Sequence, residues 1–122
     1  IPLRLVGSEM CIRDRIAQLL EEHREPVGVF CYHDLIAAQL YRVCKRLGRR
    51  IPQDVGIVGF DDLSIATNLS PSLTTVQYRI ASMADMTVKL MIDCIQNPDT
   101  PYDNYYVEPN LVIRESSLLS GH

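Results

Sequence analysis

A short apolar run that ends at two carboxylates constrains the fold more than any other feature of this chain. The run VGIVG at Val55–Gly59 combines β-branched side chains with glycine, and Asp61 and Asp62 follow Phe60 directly. A continuous apolar run of this length is typical of a parallel strand that is covered on both faces. In open α/β sheets, ligands bind at the carboxyl ends of such strands. The pattern therefore predicts a ligand site at this acidic loop.

Strands alternate with helices on both sides of this run, which predicts an α/β fold with a parallel sheet flanked by helices and right-handed crossovers. The apolar periodicity and the turn signals set the expected bounds. The predicted elements are a helix from Ile16 that ends before Pro26, a strand over Val27–Phe30, a helix over Leu35–Leu47 with Asp34 as its N-cap and Gly48 as its C′ residue, strands over Val55–Gly59 and Leu73–Val76, a helix over Ile80–Gln96, and two strands over Tyr105–Val107 and Leu111–Ile113.

Charge and cysteine usage narrow the class of protein. The net charge of −3 argues against a chain that grips a phosphate backbone itself. Its basic residues cluster at a predicted helix end, where cations complement the helix dipole; the cluster is Lys45, Arg46, Arg49 and Arg50. The four cysteines lack zinc-binding spacing, and Cys31 and Cys44 fall on predicted core faces, which indicates reduced, buried thiols. With no apolar run long enough to span a bilayer, we expect a cytoplasmic protein without a membrane partner.

Three motifs in order resemble the effector domain of LacI/GalR-type transcription regulators. They are IPQDVGIVGFDD followed by SPSLTTV, PVGVFCYHDLIA, and EPNLVIRESS, and together they cover Ile16 to Ser117. The resemblance implies the C-terminal part of a two-lobed periplasmic-binding-protein-like I fold. It implies hinge crossings between the lobes near residues 77–79 and 112–114. The helix Ile80–Gln96 would then belong to the other lobe and would expose apolar surface here.

The two ends of the chain fall outside this resemblance. The string VGSEMCIRDR resembles translated sequencing-adapter read-through, which predicts that residues 1–15 are a non-native leader. The alternative is an ordinary N-terminal strand and turn. Residues 16–117 form the expected partial effector-binding and dimerisation domain, and residues 118–122 form a tail.

Asp61 is the first candidate contact with an effector. A carboxylate at the rim of a pocket accepts two hydrogen bonds from adjacent sugar hydroxyls. In the resembled family the first Asp of this pair touches the effector, whereas the alternative is that Asp61 only caps the next turn. Asp62 is expected to be the structural partner that holds the loop.

Two further candidates depart from the family pattern. His33 stands where the family commonly has a sugar-facing Asn, and its protonation would make binding pH-sensitive; a helix-start histidine without a ligand contact is the alternative. Tyr78 stands where many members have Gln, so it either stacks on a sugar face or packs at the hinge. Asp34 is interpreted as the N-cap rather than as a ligand contact.

An enzymatic role is disfavoured by the sequence. His33-Asp34 and Asp61-Asp62 could form an acid/base or metal constellation at neighbouring strand ends. However, the chain has no activated nucleophile, no phosphate-cradling Gly loop, and neither GxSxG nor HExxH. We therefore expect no cofactor, no metal site and no catalytic residue.

These features together predict a fragment of a bacterial repressor that binds a small-molecule effector, which we expect to be a sugar such as arabinose. DNA would be bound only through a missing N-terminal domain, and the closest likeness is to arabinose-type repressors with a GntR-type winged-helix head. The resemblance also implies a homodimer, through the helix after Asp34 and the loop Leu63–Leu69. The alternative is a periplasmic sugar-binding protein of a transporter, which shares the fold.

Overall fold

The protein folds as a four-stranded sheet with helices packed against it. The computed structural model describes residues 9–119, with side chains from residue 12 onward. The strands lie in their chain order across the sheet. The elements are α1 (Glu9–Glu22), β1 (Val27–Phe30), α2 (Asp34–Leu47), β2 (Val55–Phe60), α3 (Ser64–Asn68), β3 (Thr74–Gln77), α4 (Ile80–Gln96), β4 (Asn110–Val112) and a 3₁₀ turn at Glu115–Ser117.

The first three strands are parallel, as the alternation of strands and helices predicts. β1 pairs with β2, and β2 pairs with β3, with Val58 opposite Thr74. β4 is antiparallel to β3, with Gln77 opposite Asn110. The reason is that the chain leaves the sheet at the carboxyl end of β3 and returns at that same end. The returning strand must then run in the opposite direction.

The hydrophobic core lies on one face of β2. Along this strand buried residues alternate with half-buried ones, so the second face is only partly covered. No residue of β2 is fully exposed, so both faces are covered, one of them more completely than the other. The largest fully buried apolar side chains come from α2, β2 and the segment before β3, and they are Leu40, Ile57, Leu73, Val43 and Val55.

The first helix is longer than its apolar periodicity predicts. α1 begins at Glu9 rather than at Ile16, and Ile12 joins Ile16 in the core cluster. Of the predicted leader, residues 1–8 lie outside the described part of the chain, and residues 9–15 form the first half of α1. That residues 1–15 are non-native stays a prediction.

The capping of α2 differs from the expectation at its amino end. The N-cap is His33, which has an extended backbone and whose Nδ1 accepts a hydrogen bond from the Leu35 N–H at 3.2 Å. Asp34 is the first helical residue and is completely buried, so its predicted role as the N-cap is wrong. At the other end Gly48 adopts the left-handed conformation with a φ of 66°, as expected of a C′ glycine.

The predicted strand over Tyr105–Val107 is wrong. These residues are irregular, and Tyr105 and Tyr106 are exposed. The segment Asn110–Val112, not Tyr105–Val107, pairs with the edge of β3. The Tyr102 hydroxyl instead fastens this segment to the end of α4 by donating to the backbone oxygens of Asp93 and Asn97.

Helix α4 carries an exposed apolar face, which confirms the expectation from the sequence. None of its residues is buried against the rest of the described chain. Its large exposed apolar side chains are Ile80, Met83, Val88, Met91, Ile92 and Ile95. A helix with this pattern needs a further apolar surface to cover it.

The cysteines on the predicted core faces are buried thiols, as expected. Cys31 and Cys44 are free and buried, and desolvation raises the pKa of the Cys31 thiol to about 12 and that of the Cys44 thiol to about 11.

The basic residues after α2 form structural contacts. Arg50 pairs with Asp54 at 3.0 Å. None of the helices in residues 9–119 has the length and apolar character that a membrane crossing requires. Arg49 donates hydrogen bonds to the backbone oxygens of Leu20, His23, Glu25 and Asp54.

We predict that Gly59→Ala destabilises the protein by about 1–3 kcal/mol, because overpacking forces buried groups to shift. A Cβ at residue 59 would overlap the Asp34 carboxylate and lie 2.9 Å from Leu73 Cδ2. Urea unfolding measures the effect. Gly28→Ala is the matched control, since no atom lies within 4 Å of its added Cβ. Equal stability of Gly59→Ala and wild type would contradict this packing.

Candidate functional site

Polar and aromatic side chains follow three parallel strands at one edge of the sheet. His33 follows β1, Asp61 and Asp62 follow β2, and Tyr78 follows β3. Because these strands are parallel and adjacent, their carboxyl ends meet at the same edge. The structure therefore brings together the three side chains that the sequence singles out as effector contacts, His33, Asp61 and Tyr78.

Asp61 lies at the centre of this group in an unusual backbone conformation. Its φ is 102°, a region that non-glycine residues rarely adopt and that carries a cost of about 1–3 kcal/mol. Its N–H donates to the Val76 oxygen at 2.9 Å, which ties the loop to the end of β3. One carboxylate oxygen, Oδ2, lies 2.9 Å from His33 Nε2. The loop thus holds the Asp61 carboxylate next to the imidazole of His33, which follows the neighbouring strand β1.

The two ring nitrogens of His33 have different partners: Nδ1 contacts the start of α2 and Nε2 contacts Asp61. Since Nδ1 accepts the Leu35 N–H, the proton of the neutral imidazole sits on Nε2. Nε2–H then donates to Asp61. About 36% of the His33 side chain is exposed, against 14% for Asp61, so the imidazole borders solvent while the carboxylate is largely covered.

Tyr78 also lies beside Asp61. The interaction of its hydroxyl with the Asp61 carboxylate raises the pKa of the Tyr78 hydroxyl above its ordinary value. The ring packs against Phe60, with centroids 5.8 Å apart and a tilt of 33°. The site therefore combines a carboxylate, two donors and an aromatic pair.

Asp34 supports this edge from inside the protein. Its Oδ2 accepts from the Leu63 N–H at 2.8 Å, and its Oδ1 accepts from Thr75 Oγ1 at 2.7 Å. The carboxylate also lies in the first turn of α2, where the helix dipole favours negative charge. The side chain is held away from the effector edge, and it fixes the start of α3 to β3.

Asp62 turns away from Asp61 and binds two other segments. Its Oδ2 accepts from Gln77 Nε2 at 2.7 Å, and its Oδ1 lies 2.7 Å from an Arg114 guanidinium nitrogen. Gln77 and Arg114 were missed as site residues. No signal in a single sequence links Arg114 to Asp62, because 52 residues separate them and only the fold makes them neighbours.

Comparison with known proteins identifies the family. Residues 4–117 match the periplasmic binding protein-like domain family. The chain belongs to this family. The chain is similar to curated repressors and to solved LacI-family regulators, so the resemblance to LacI/GalR-type effector domains that the three motifs carry is confirmed.

Relatives of this periplasmic binding protein-like chain include two curated repressors. It is 39% identical over 101 residues to the ribose operon repressor of Haemophilus influenzae, an alignment that covers 83% of this chain and 30% of the repressor. It is 32% identical over 99 residues to the HTH-type transcriptional repressor PurR of Photorhabdus laumondii, covering 81% of this chain and 29% of that protein. The chain thus spans about 30% of the length of these relatives.

A solved structure confirms the fold. The LacI family transcriptional regulator of Enterococcus faecium with bound ribose superposes on this chain with a TM-score of 0.75 at 29% identity, over 90% of this chain and 40% of that one. The α/β architecture with a mostly parallel sheet is therefore that of the periplasmic-binding-protein-like regulators.

We predict that His33→Ala lowers the free energy of unfolding by about 1 kcal/mol, because α2 loses its N-cap, whereas His33→Asn keeps wild-type stability, because Asn is among the best N-cap residues. Urea unfolding of the two variants provides the measurement. If both variants lose the same stability, the contact of Nε2 with Asp61 rather than the cap is what stabilises this end of α2.

Proposed function

We propose that this chain is part of the effector-binding module of a LacI/GalR-type repressor and that the edge around Asp61 binds a sugar. The observation that carries the proposal is the convergence of Asp61, His33 and Tyr78 at the carboxyl edge of the parallel sheet. Binding at this edge is the rule for open α/β sheets.

The chemistry of these groups suits a polyhydroxylated ligand. A sugar hydroxyl both donates and accepts, so it donates to the Asp61 carboxylate and accepts from His33 Nε2–H or from the Tyr78 hydroxyl. The aromatic pair Phe60–Tyr78 offers an apolar wall for the C–H face of a sugar ring. Within the site, Asp61, His33 and Tyr78 are the proposed effector contacts, and Asp34 and Asp62 are structural.

A second lobe would complete the site. At the carboxyl edge the His33 imidazole borders solvent, and α4, which begins shortly after β3, presents an uncovered apolar face. Because the chain spans about 30% of the repressors that it matches, we propose that α4 packs in the other lobe of the parent protein. The hinge crossings are proposed at residues 77–79, where β3 ends, and at residues 112–114, where β4 ends.

The proposed mechanism is a population shift. A sugar that binds between the lobes stabilises the closed state and thereby changes the affinity of a dimer for its operator. DNA contact comes from an N-terminal domain outside this chain, and homodimerisation through α2 and the segment Leu63–Leu69 is part of the proposal. The repressor names of the relatives support a cytoplasmic, non-enzymatic role.

The first experiment tests the sugar site in the full-length parent protein. Calorimetry with ribose, arabinose and xylose is expected to reveal binding of at least one pentose. Ribose is favoured by the relatives, whereas arabinose is the expectation from the sequence. Asp61→Ala is expected to weaken binding about 100-fold, because a charged acceptor that pairs with ligand hydroxyls contributes about 3 kcal/mol.

Asp54→Ala is the control for this experiment. Asp54 is an acidic residue at the opposite end of β2, where it pairs with Arg50. Its loss is expected to leave sugar affinity unchanged. Operator affinity is measured with and without the bound sugar. If no pentose binds and none changes operator affinity, the effector-module proposal is wrong.

Reading the genomic sequence upstream distinguishes the two sugar-binding alternatives. The repressor proposal predicts a DNA-binding head in the same reading frame, of the GntR winged-helix type if the arabinose-type likeness holds. A periplasmic transporter protein would instead begin with a signal peptide. The same sequence tests whether residues 1–15 belong to the native gene, since a leader of adapter origin would be absent from it.

A further inference from the structure

Asp62 joins the end of β3 to the segment that follows β4. Gln77 is the last residue of β3, and Arg114 follows β4 closely. Both donate to the same carboxylate, at 2.7 Å each. We call this pair of contacts the Asp62 bridge. One residue from each proposed hinge crossing is therefore fixed to the residue that follows Asp61.

The Asp62 bridge is shielded from solvent and held rigidly. Only 17% of the Arg114 side chain and 13% of the Asp62 side chain are exposed, so water screens the pair less than it screens a surface ion pair. The Arg114 guanidinium also donates to the Leu73 oxygen at 2.9 Å, which fixes its plane. A planar guanidinium with two defined acceptors specifies orientation as well as attraction.

The bridge acts on a backbone that would otherwise relax. Asp61 and Asp62 have consecutive positive φ values of 102° and 50°, and neither is glycine. Such conformations persist only where the surroundings over-determine them. The Asp61 N–H is tied to Val76, while the Asp62 carboxylate is tied to the residues beside that strand. Rotation of the intervening peptide would redirect the Asp61 carboxylate away from His33.

We propose that Asp62 is a positioning residue: its contacts with the end of β3 and with the segment after β4 direct the Asp61 carboxylate toward the effector. The proposal rests on the sugar-binding role of Asp61. Asp62 touches no effector in this arrangement, because both of its carboxylate oxygens are engaged within the protein. Its influence on binding passes through the backbone of Asp61.

The test is calorimetric titration of the full-length parent protein with the pentose that the wild type binds. Asp62→Asn, which removes the charge and one acceptor, is expected to raise the dissociation constant about tenfold, a free-energy change of about 1.4 kcal/mol. Arg114→Gln is expected to have the same effect. The double variant is expected to bind no more weakly than either single variant, because both changes break one bridge.

Glu115→Gln separates positioning from general destabilisation. Glu115 follows Arg114 and holds the same segment, but its carboxylate accepts from the Ser72 N–H and Oγ, both at 2.9 Å, at the end of β3 away from Asp61. This variant is expected to lower thermal stability without changing sugar affinity. If it weakens binding as much as Asp62→Asn does, or if Asp62→Asn binds as the wild type, the positioning role is overturned.

Gln77→Ala covers the case in which Asp62→Asn fails to fold. It removes one contact of the bridge and leaves the Asp62–Arg114 pair, so a smaller loss of affinity in the same direction is expected, and unchanged affinity would overturn the role.

Failure of the sugar-binding function and failure of the positioning role give different results. A wild type that binds no pentose refutes the sugar-binding function and the inference with it, whereas a binding wild type with equally strong variants refutes the inference alone.

Discussion

The buried carboxylate of Asp34 is the interaction on which the functional edge depends. A buried charge is costly to desolvate and is stable only when it is well hydrogen-bonded. Asp34 meets this requirement through the Leu63 N–H, the Thr75 hydroxyl and the amino end of α2. These contacts link α2, β3 and the residues after β2 around one side chain. Gly59 makes room for it, since any Cβ there would overlap the carboxylate.

A second polar network connects the end of the chain to β3. Ser116 Oγ accepts from the Thr74 N–H and donates to the Ile57 oxygen, while the Thr74 hydroxyl contacts Arg114 and Ser117. Both Thr74 and Ser116 are buried. This network joins the LTT and RESS segments, although about 40 residues separate them. Each motif satisfies the buried polar groups of the other.

Asp61 differs from the residues of these two networks. The surrounding residues are fixed by buried hydrogen bonds, whereas Asp61 has a strained backbone and pairs with an imidazole that borders solvent. Strain of this kind, supported by rigid neighbours, is a feature of binding sites. The exposed face of α4 lies on the excursion between β3 and β4, which is where the proposed second lobe would cover it.

The sequence by itself determined the long helices, the parallel strands and the place of Asp61 after β2. Apolar periodicity and turn residues are local signals, and they predicted α1, α2, α4, the three parallel strands and the Gly48 cap, whereas the candidates His33 and Tyr78 came from the family resemblance and the short helix α3 was not predicted. Only the tertiary structure decided the partners of the charged side chains. Whether Asp34 caps a helix or is buried, and whether Asp62 meets Arg114, depends on contacts across 29 to 52 residues of chain, which local patterns do not encode. The predicted strand at Tyr105–Val107 fails for a related reason, because an alternating pattern does not determine whether a segment pairs with another strand.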